Sequence, residues 1–185
     1  SRDLILHFRT LDPIMTSTTT DIVCRPVVVP ASLDTPDAAD FLAMIEQFNL
    51  ACRHDIGSDH LDYEPLGELP SWLDQTDRLR YGYIALRDDR AIGALQVHVP
   101  LEEDADNLEF ELAVLASERG RGVARALMPH VDRIAREHER RLVQAYTVHR
   151  IDADGPRLAS PTGFGSIPRD RTADYCLAQG FTLGQ

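Results

Sequence analysis

At 185 residues the chain suits one domain with a sizeable core. Its 43% hydrophobic and 26% charged content is ordinary for a globular protein, and a net charge of −11 argues against general nucleic-acid binding, which needs a basic face. No run approaches the ~20 apolar residues of a membrane span, and Leu4-Ile5-Leu6 is too short an apolar core for a signal peptide.

The acid excess reads first as a route to solubility and second as an attraction for a cationic substrate. All 19 basic side chains are arginine, a mark of GC-rich coding rather than of function. Cys24, Cys52 and Cys176 are scattered and form no metal-type pair, so free thiols in a reducing cytoplasm are expected.

Residues 1–20 read as a leader or vector-derived segment, disordered and separate from the domain, with Met15 as a candidate natural start. Residues 21–185 then form the domain. Ile22 to Val29 is β-branched-rich, and Pro26 makes it an edge strand. Thr35 caps a helix with Pro36 at its first position, and Phe41, Ile45, Phe48 and Cys52 form the buried stripe. His54 to Pro70 reads as a polar loop. Its His54, Asp55, Asp59, His60 and Asp62 match no familiar ligand spacing, so a solvated cluster is expected and no metal. Leu69 to Gln75 is a short helix carrying Trp72.

Arg80–Arg87 and Ala91–Val99 form a hairpin turned by Asp88-Asp89-Arg90. His98, on its polar side, is expected to be exposed. The acidic stretch from Pro100 to Asn107 is a solvated loop first and a rim for a cationic substrate second. Leu108, Phe110, Leu112 and Val114 then alternate with Glu109, Glu111 and Ala113, the period of a strand with one buried face. From Val123 the spacing of Val123, Leu127, Val131, Ile134 and His138 is helical, with Pro129 either tolerated or kinking that helix. Leu142–Val148 is a strand, Arg150–Asp170 a loop, Thr172–Gln179 a helix, and Phe181 starts a last strand.

Between the strand and the helix lies Glu118-Arg119-Gly120-Arg121-Gly122-Val123-Ala124. Gly120 and Gly122 allow a tight turn and close backbone approach. The first amides of the helix lack internal partners and carry positive partial charge. Together they make a socket for a phosphate or pyrophosphate. It is neither a Walker P-loop, since no Gly-Lys-Ser/Thr follows, nor a Rossmann fingerprint, since the G-x-G-x-x-G spacing is absent.

This stretch resembles the acetyl-CoA signature of the GNAT-type N-acetyltransferase superfamily, Arg/Gln-x-x-Gly-x-Gly/Ala. Arg119 to Ala124 fits it in full. Val114-Leu115-Ala116 stands where that superfamily has Val-x-Pro, with Ala116 replacing the proline. The order of elements from Ile22 to Phe181 is similar too, and Gly180-Phe181 looks like the pair closing the fourth helix. The spacing also resembles the N-terminal half of actinobacterial tandem-GNAT proteins. The family continues through another strand, whereas this chain ends at Gln185, as a fragment or with a disordered end.

The resemblance implies an α/β (α+β) fold: a mixed, mostly antiparallel central sheet flanked by helices, with acetyl-CoA bound at a β-bulge or splayed strand pair. It implies acetyl transfer to a primary amine of a small molecule or peptide, without metal or covalent enzyme intermediate. The pyrophosphate would lie on the amides of Arg119, Gly120, Arg121, Gly122, Val123 and Ala124, and the pantetheine arm along Val114, Leu115 and Ala116. Glu109 and Glu111 are candidates for the base, or ordinary polar-face carboxylates. The family's tyrosine acid, four residues before the Gly of Gly-Phe, is Cys176 here. Either Tyr175, one residue earlier, serves, or Cys176 does, or no side chain does. The alternative function is a non-catalytic CoA-binding or structural module. A homodimer or a second GNAT domain is the partner expected of such a chain.

Overall fold

The structure, a computed structural model, describes residues 4–10, 21–150, 152–163 and 165–184, and for residues 4–8 the backbone alone. Seven strands form one sheet. In chain order they are β1 (Leu4–Thr10), β2 (Val23–Val27), β3 (Arg78–Arg87), β4 (Arg90–Pro100), β5 (Asn107–Val114), β6 (Leu142–Val148) and β9 (Thr182–Leu183). Their order across the sheet is β2-β3-β4-β5-β6-β1-β9, with every pairing antiparallel except β5 with β6. This is the mixed, mostly antiparallel arrangement expected.

Four helices cover the sheet: α1 (Ala39–Ile56), α2 (Pro65–Leu73), α3 (Val123–Glu137) and α4 (Arg171–Ala178). Alternation along the strands sends side chains to both faces, and both faces are packed. On one, Phe41, Met44 and Phe48 of α1 and Trp72 of α2 bury Ile84, Ala94 and Ala113. On the other, Leu127, Val131 and Ile134 of α3 bury Leu95, Val97, Leu108 and Phe110. No helix among the described residues is long and apolar enough to cross a membrane.

Several elements depart from the sequence expectation. Leu4–Thr10, expected to stand apart, is β1, pairing with all of β6 and with β9. An unpaired β6 edge would leave a row of backbone groups without partners, and β1 satisfies them. Residues 1–3 and 11–20, including Met15, lie outside the described residues. Thr35 makes no side-chain cap; its hydroxyl donates to the Ser32 carbonyl at 2.8 Å, and a 3-10 turn at Pro36–Ala38 leads into α1. The expected loop at His54–Pro70 is shorter, because α1 runs to Ile56 and α2 begins at Pro65. Proline suits that first helical position, since its missing N–H would have had no partner there. The loop from Arg150 to Asp170 contains a small antiparallel pair, β7 (Arg157–Ala159) and β8 (Ser166–Pro168). Asp88 and Asp89 both have positive φ, 49° and 59°, as a two-residue hairpin turn demands. Helix α3 runs unbroken through Pro129.

His98 is not exposed. It packs edge-on to Trp72 and lies 3.2 Å from Arg80 Nη1. Burial, then the Arg80 and Arg78 charges, lower its pKa to about 3, so it is neutral and accepts that bond.

Candidate functional site

The parallel pairing of β5 with β6 ends at Glu111 opposite Tyr146, although both strands continue. Beyond that point the strands part, and the β6-facing edge of Leu112–Val114 has no strand partner. β4 holds the other edge as far as Gly93 opposite Val114. A cavity of about 1170 Å³ fills the wedge between the parted strands. That exceeds the usual 300–1000 Å³ of a small-molecule pocket, so a long ligand and a second molecule fit together.

At one end of the cavity, β5 passes through a 3-10 turn (Ala116–Glu118) into α3. Gly120 and Gly122 have φ of 81° and 90°, the left-handed region that glycine enters freely. Gly122 is the N-cap of α3. Among the described residues no backbone acceptor takes the amides of Gly120, Gly122, Val123 or Ala124, and all four residues border the cavity. Open amides at a helix N-terminus form an anion socket.

Other residues named from the sequence are placed differently. The Arg121 amide bonds the Glu118 carbonyl at 3.2 Å, and Arg121 does not border the cavity. The Arg119 amide faces the Ala116 carbonyl at 3.5 Å. Leu115 donates its amide to the Ile92 carbonyl at 3.1 Å, Ala116 opens the 3-10 turn, and neither borders the cavity. Val114 does, but its carbonyl accepts from Arg119 Nε at 3.2 Å.

Beneath the turn, Glu118 is 4% exposed. It accepts bonds from Arg87 and, at 3.0 Å, from Arg90. The Arg119 guanidinium grips both oxygens of Asp55 at 2.7 and 2.8 Å, fastening the end of α1 to the turn. Asp62 pairs with Arg53. Two carboxylates of the stretch expected to be a solvated cluster are thus engaged by arginine, and among the described residues no group of three His, Cys, Asp or Glu side chains could hold a metal ion.

The middle of the cavity carries the candidate acid–base groups. Glu111 lies on the sheet face covered by α1 and α2, and the Tyr63 hydroxyl donates to its two oxygens at 3.0 and 2.9 Å. Burial raises its pKa, more than the bonds from Tyr63 and Gln96 lower it; Glu68 and Glu109 raise it further. Burial likewise raises the Glu68 pKa, which the Arg80 charge partly offsets. Glu109 lies outside the cavity lining, 3.8 Å from Arg78.

Tyr175 and Cys176 separate as their helical phase demands. Cys176 sits in the core between sheet and α3, its pKa pushed to about 12 by burial and by Asp170. Tyr175 borders the cavity, and its buried hydroxyl has no hydrogen-bond partner among the described residues. Burial raises its pKa to about 12, so it is protonated at neutral pH. Cys52, expected in the core, is half-buried and borders the cavity.

Sequence reasoning missed Tyr63, Glu68, Tyr146 and Arg171, which also border the cavity. Tyr146 lies on a strand read correctly, where the wedge opens opposite Glu111. The other three carry no local signal.

Residues 43–153 match the family model of the acetyltransferase (GNAT) family. No curated protein matches the chain. Among solved structures, a tandem GNAT protein from the clavulanic acid biosynthesis pathway is similar at 20% identity and a TM-score of 0.62. It covers 86% of this chain, which spans only 43% of that protein. An aminoglycoside acetyltransferase from an uncultured soil metagenomic sample is similar at 15% identity and a TM-score of 0.54, over 86% of this chain and 85% of its own. The GNAT domain of S. lividans PAT is similar at 17% identity and a TM-score of 0.52, over 86% of each chain. At such identities these structures speak to the fold alone.

Proposed function

Because this chain belongs to the acetyltransferase (GNAT) family, we propose that it moves an acetyl group from acetyl-CoA directly to a primary amine of a small molecule or peptide. One observation carries this reading: the open amides of Gly120, Gly122, Val123 and Ala124 and the unpaired edge of Leu112–Val114 border the same cavity. The first suits a diphosphate, and the second suits the amide-bearing pantetheine arm as an added strand.

The chemistry needs an uncharged amine, a stabilised oxyanion and a proton for the departing thiolate. Glu111 is the base in this reading, taking the ammonium proton directly or through one water. A carboxylate whose pKa is raised holds a proton better than an exposed one does. Tyr175 is the acid; it is protonated, borders the cavity and has a free hydrogen bond to give. Glu68 and Glu111, with Phe48 and Tyr63 beside them, give the acceptor end an anionic and aromatic lining that suits a cationic amine.

The second reading, a CoA-binding or structural module without catalysis, draws on Cys176, which occupies the family's tyrosine position and is buried in the core. A thermal-shift screen with acetyl-CoA and longer acyl-CoAs, followed by thiol release with a panel of amines, separates the two. A shift with turnover supports the enzyme. A shift without turnover on any amine selects a CoA-binding module, and no shift removes both the enzyme and the CoA-binding module, leaving the structural one.

A further inference from the structure

We propose that Arg171, at the start of α4, is the side-chain cation that meets the diphosphate, and that the signature arginine, Arg119, is a structural latch. This rests on the reading of the cavity as a CoA site.

The Arg119 guanidinium is already committed. Nη1 and Nη2 hold the Asp55 carboxylate at 2.7 and 2.8 Å, and Nε holds the Val114 carbonyl at 3.2 Å. Turning it toward a phosphate would break all three bonds and strand a half-buried carboxylate. Arg121 is turned away, 3.8 Å from Glu118. The two arginines of the motif therefore leave the socket without a side-chain charge.

Arg171 supplies one from a different element. Its Nη2 lies 2.6 Å from where a Cβ on Gly120 would sit, so the guanidinium rests against the turn. Arg171 is exposed, borders the cavity, and has no carboxylate partner among the described residues. The start of its helix is anchored from behind. Asp170 caps α4 by accepting the Ala173 amide at 2.9 Å, and its other oxygen lies 2.7 Å from His149 Nδ1. A guanidinium is thus held beside open amides of the same electrostatic sign, with no counter-charge. That arrangement is unfavourable alone and favourable around a polyanion. Arg125, in the first turn of α3, also borders the cavity and is the rival cation that the test must separate from Arg171.

The test is calorimetric titration of CoA and of 3′-dephospho-CoA into the wild type, Arg171→Gln, Arg125→Gln and Gly122→Asp, at two salt concentrations. Circular dichroism confirms that each variant is folded. Arg171→Gln is expected to weaken both ligands alike, by about tenfold, or about 1.4 kcal/mol, and to flatten the salt dependence. Arg171→Lys should recover part of the loss, since a point charge replaces a fork. A loss confined to CoA would assign the guanidinium to the 3′-phosphate and overturn the proposal. So would a loss in Arg125→Gln with none in Arg171→Gln. If Gly122→Asp abolishes binding while Arg171→Gln leaves it intact, this inference fails and the reading of the cavity survives. If neither variant changes binding, both fail.

Discussion

Replacing Glu111 by glutamine keeps the side chain's size and an acceptor for Tyr63 but removes the proposed base. Loss of general-base catalysis lowers a rate by about 10²–10⁴-fold. The lower half of that range is expected here, because Tyr63 still orders the site and the socket is untouched, so kcat/KM should fall about 10²–10³-fold, or roughly 3–4 kcal/mol of transition-state stabilisation. Stability should move the other way. The Glu111 pKa in the folded protein lies above its ordinary value of 4.5, with burial as the main cause. A carboxyl raised on folding binds its proton more tightly in the native state. Its favourable contribution is therefore complete below pH 4.5 and is lost as pH rises through the folded value. At pH 8 the wild type carries that penalty and the Gln variant does not. The variant should melt at the same temperature or higher at pH 8, with the gap closing toward pH 4.5. Thiol release, CoA calorimetry and melting curves across pH check the three parts. Full turnover at pH 7 would remove Glu111 as the base. A melting temperature several degrees lower at pH 8 would refute the reasoning about its charge.

Two further substitutions test other parts of the account. Tyr175→Phe should lower turnover about 10–100-fold with CoA affinity unchanged, measured by thiol release and calorimetry. It should also preserve stability or raise it by about 1 kcal/mol in denaturant titration, since it deletes a buried, unbonded hydroxyl; an unchanged rate excludes Tyr175 as the acid. Glu118→Ala strands Arg87 and Arg90. Breaking a buried pair costs about 3–5 kcal/mol, discounted to about 2 kcal/mol here because Arg87 also reaches Asp21 and Arg90 is exposed; calorimetric melting should fall by about 6 °C.

What the sequence revealed followed from periodicity. The strands β4 and β5 carry runs of period two and the helix α3 a run of period 3.6, and these elements, with β3 and β6, stand close to their expected bounds. The end of α1 was hidden because His54 and Asp55 look like loop residues, whereas Asp55 is polar in order to meet Arg119, 64 residues away. The same distance problem hid the acceptor end of the site. Tyr63 is one aromatic in a polar stretch until the fold brings it to Glu111. His98 misled because an alternating strand implies one wet face, and here α1 and α2 cover that face. The pair Tyr175 and Cys176 was legible only as a question. Helical phase separated the two residues, and the packing of α4 decided which of them borders the cavity.

Gly122→Asp tests the main-chain socket most directly. Gly122 has φ of 90° at the N-cap of α3. Any side chain is strained at this φ, so circular dichroism must first show that the variant folds; the folded variant then carries a negative charge at the amides. Calorimetric titration of CoA into the folded variant should show no detectable binding. Binding at wild-type affinity would mean that these amides do not hold the diphosphate.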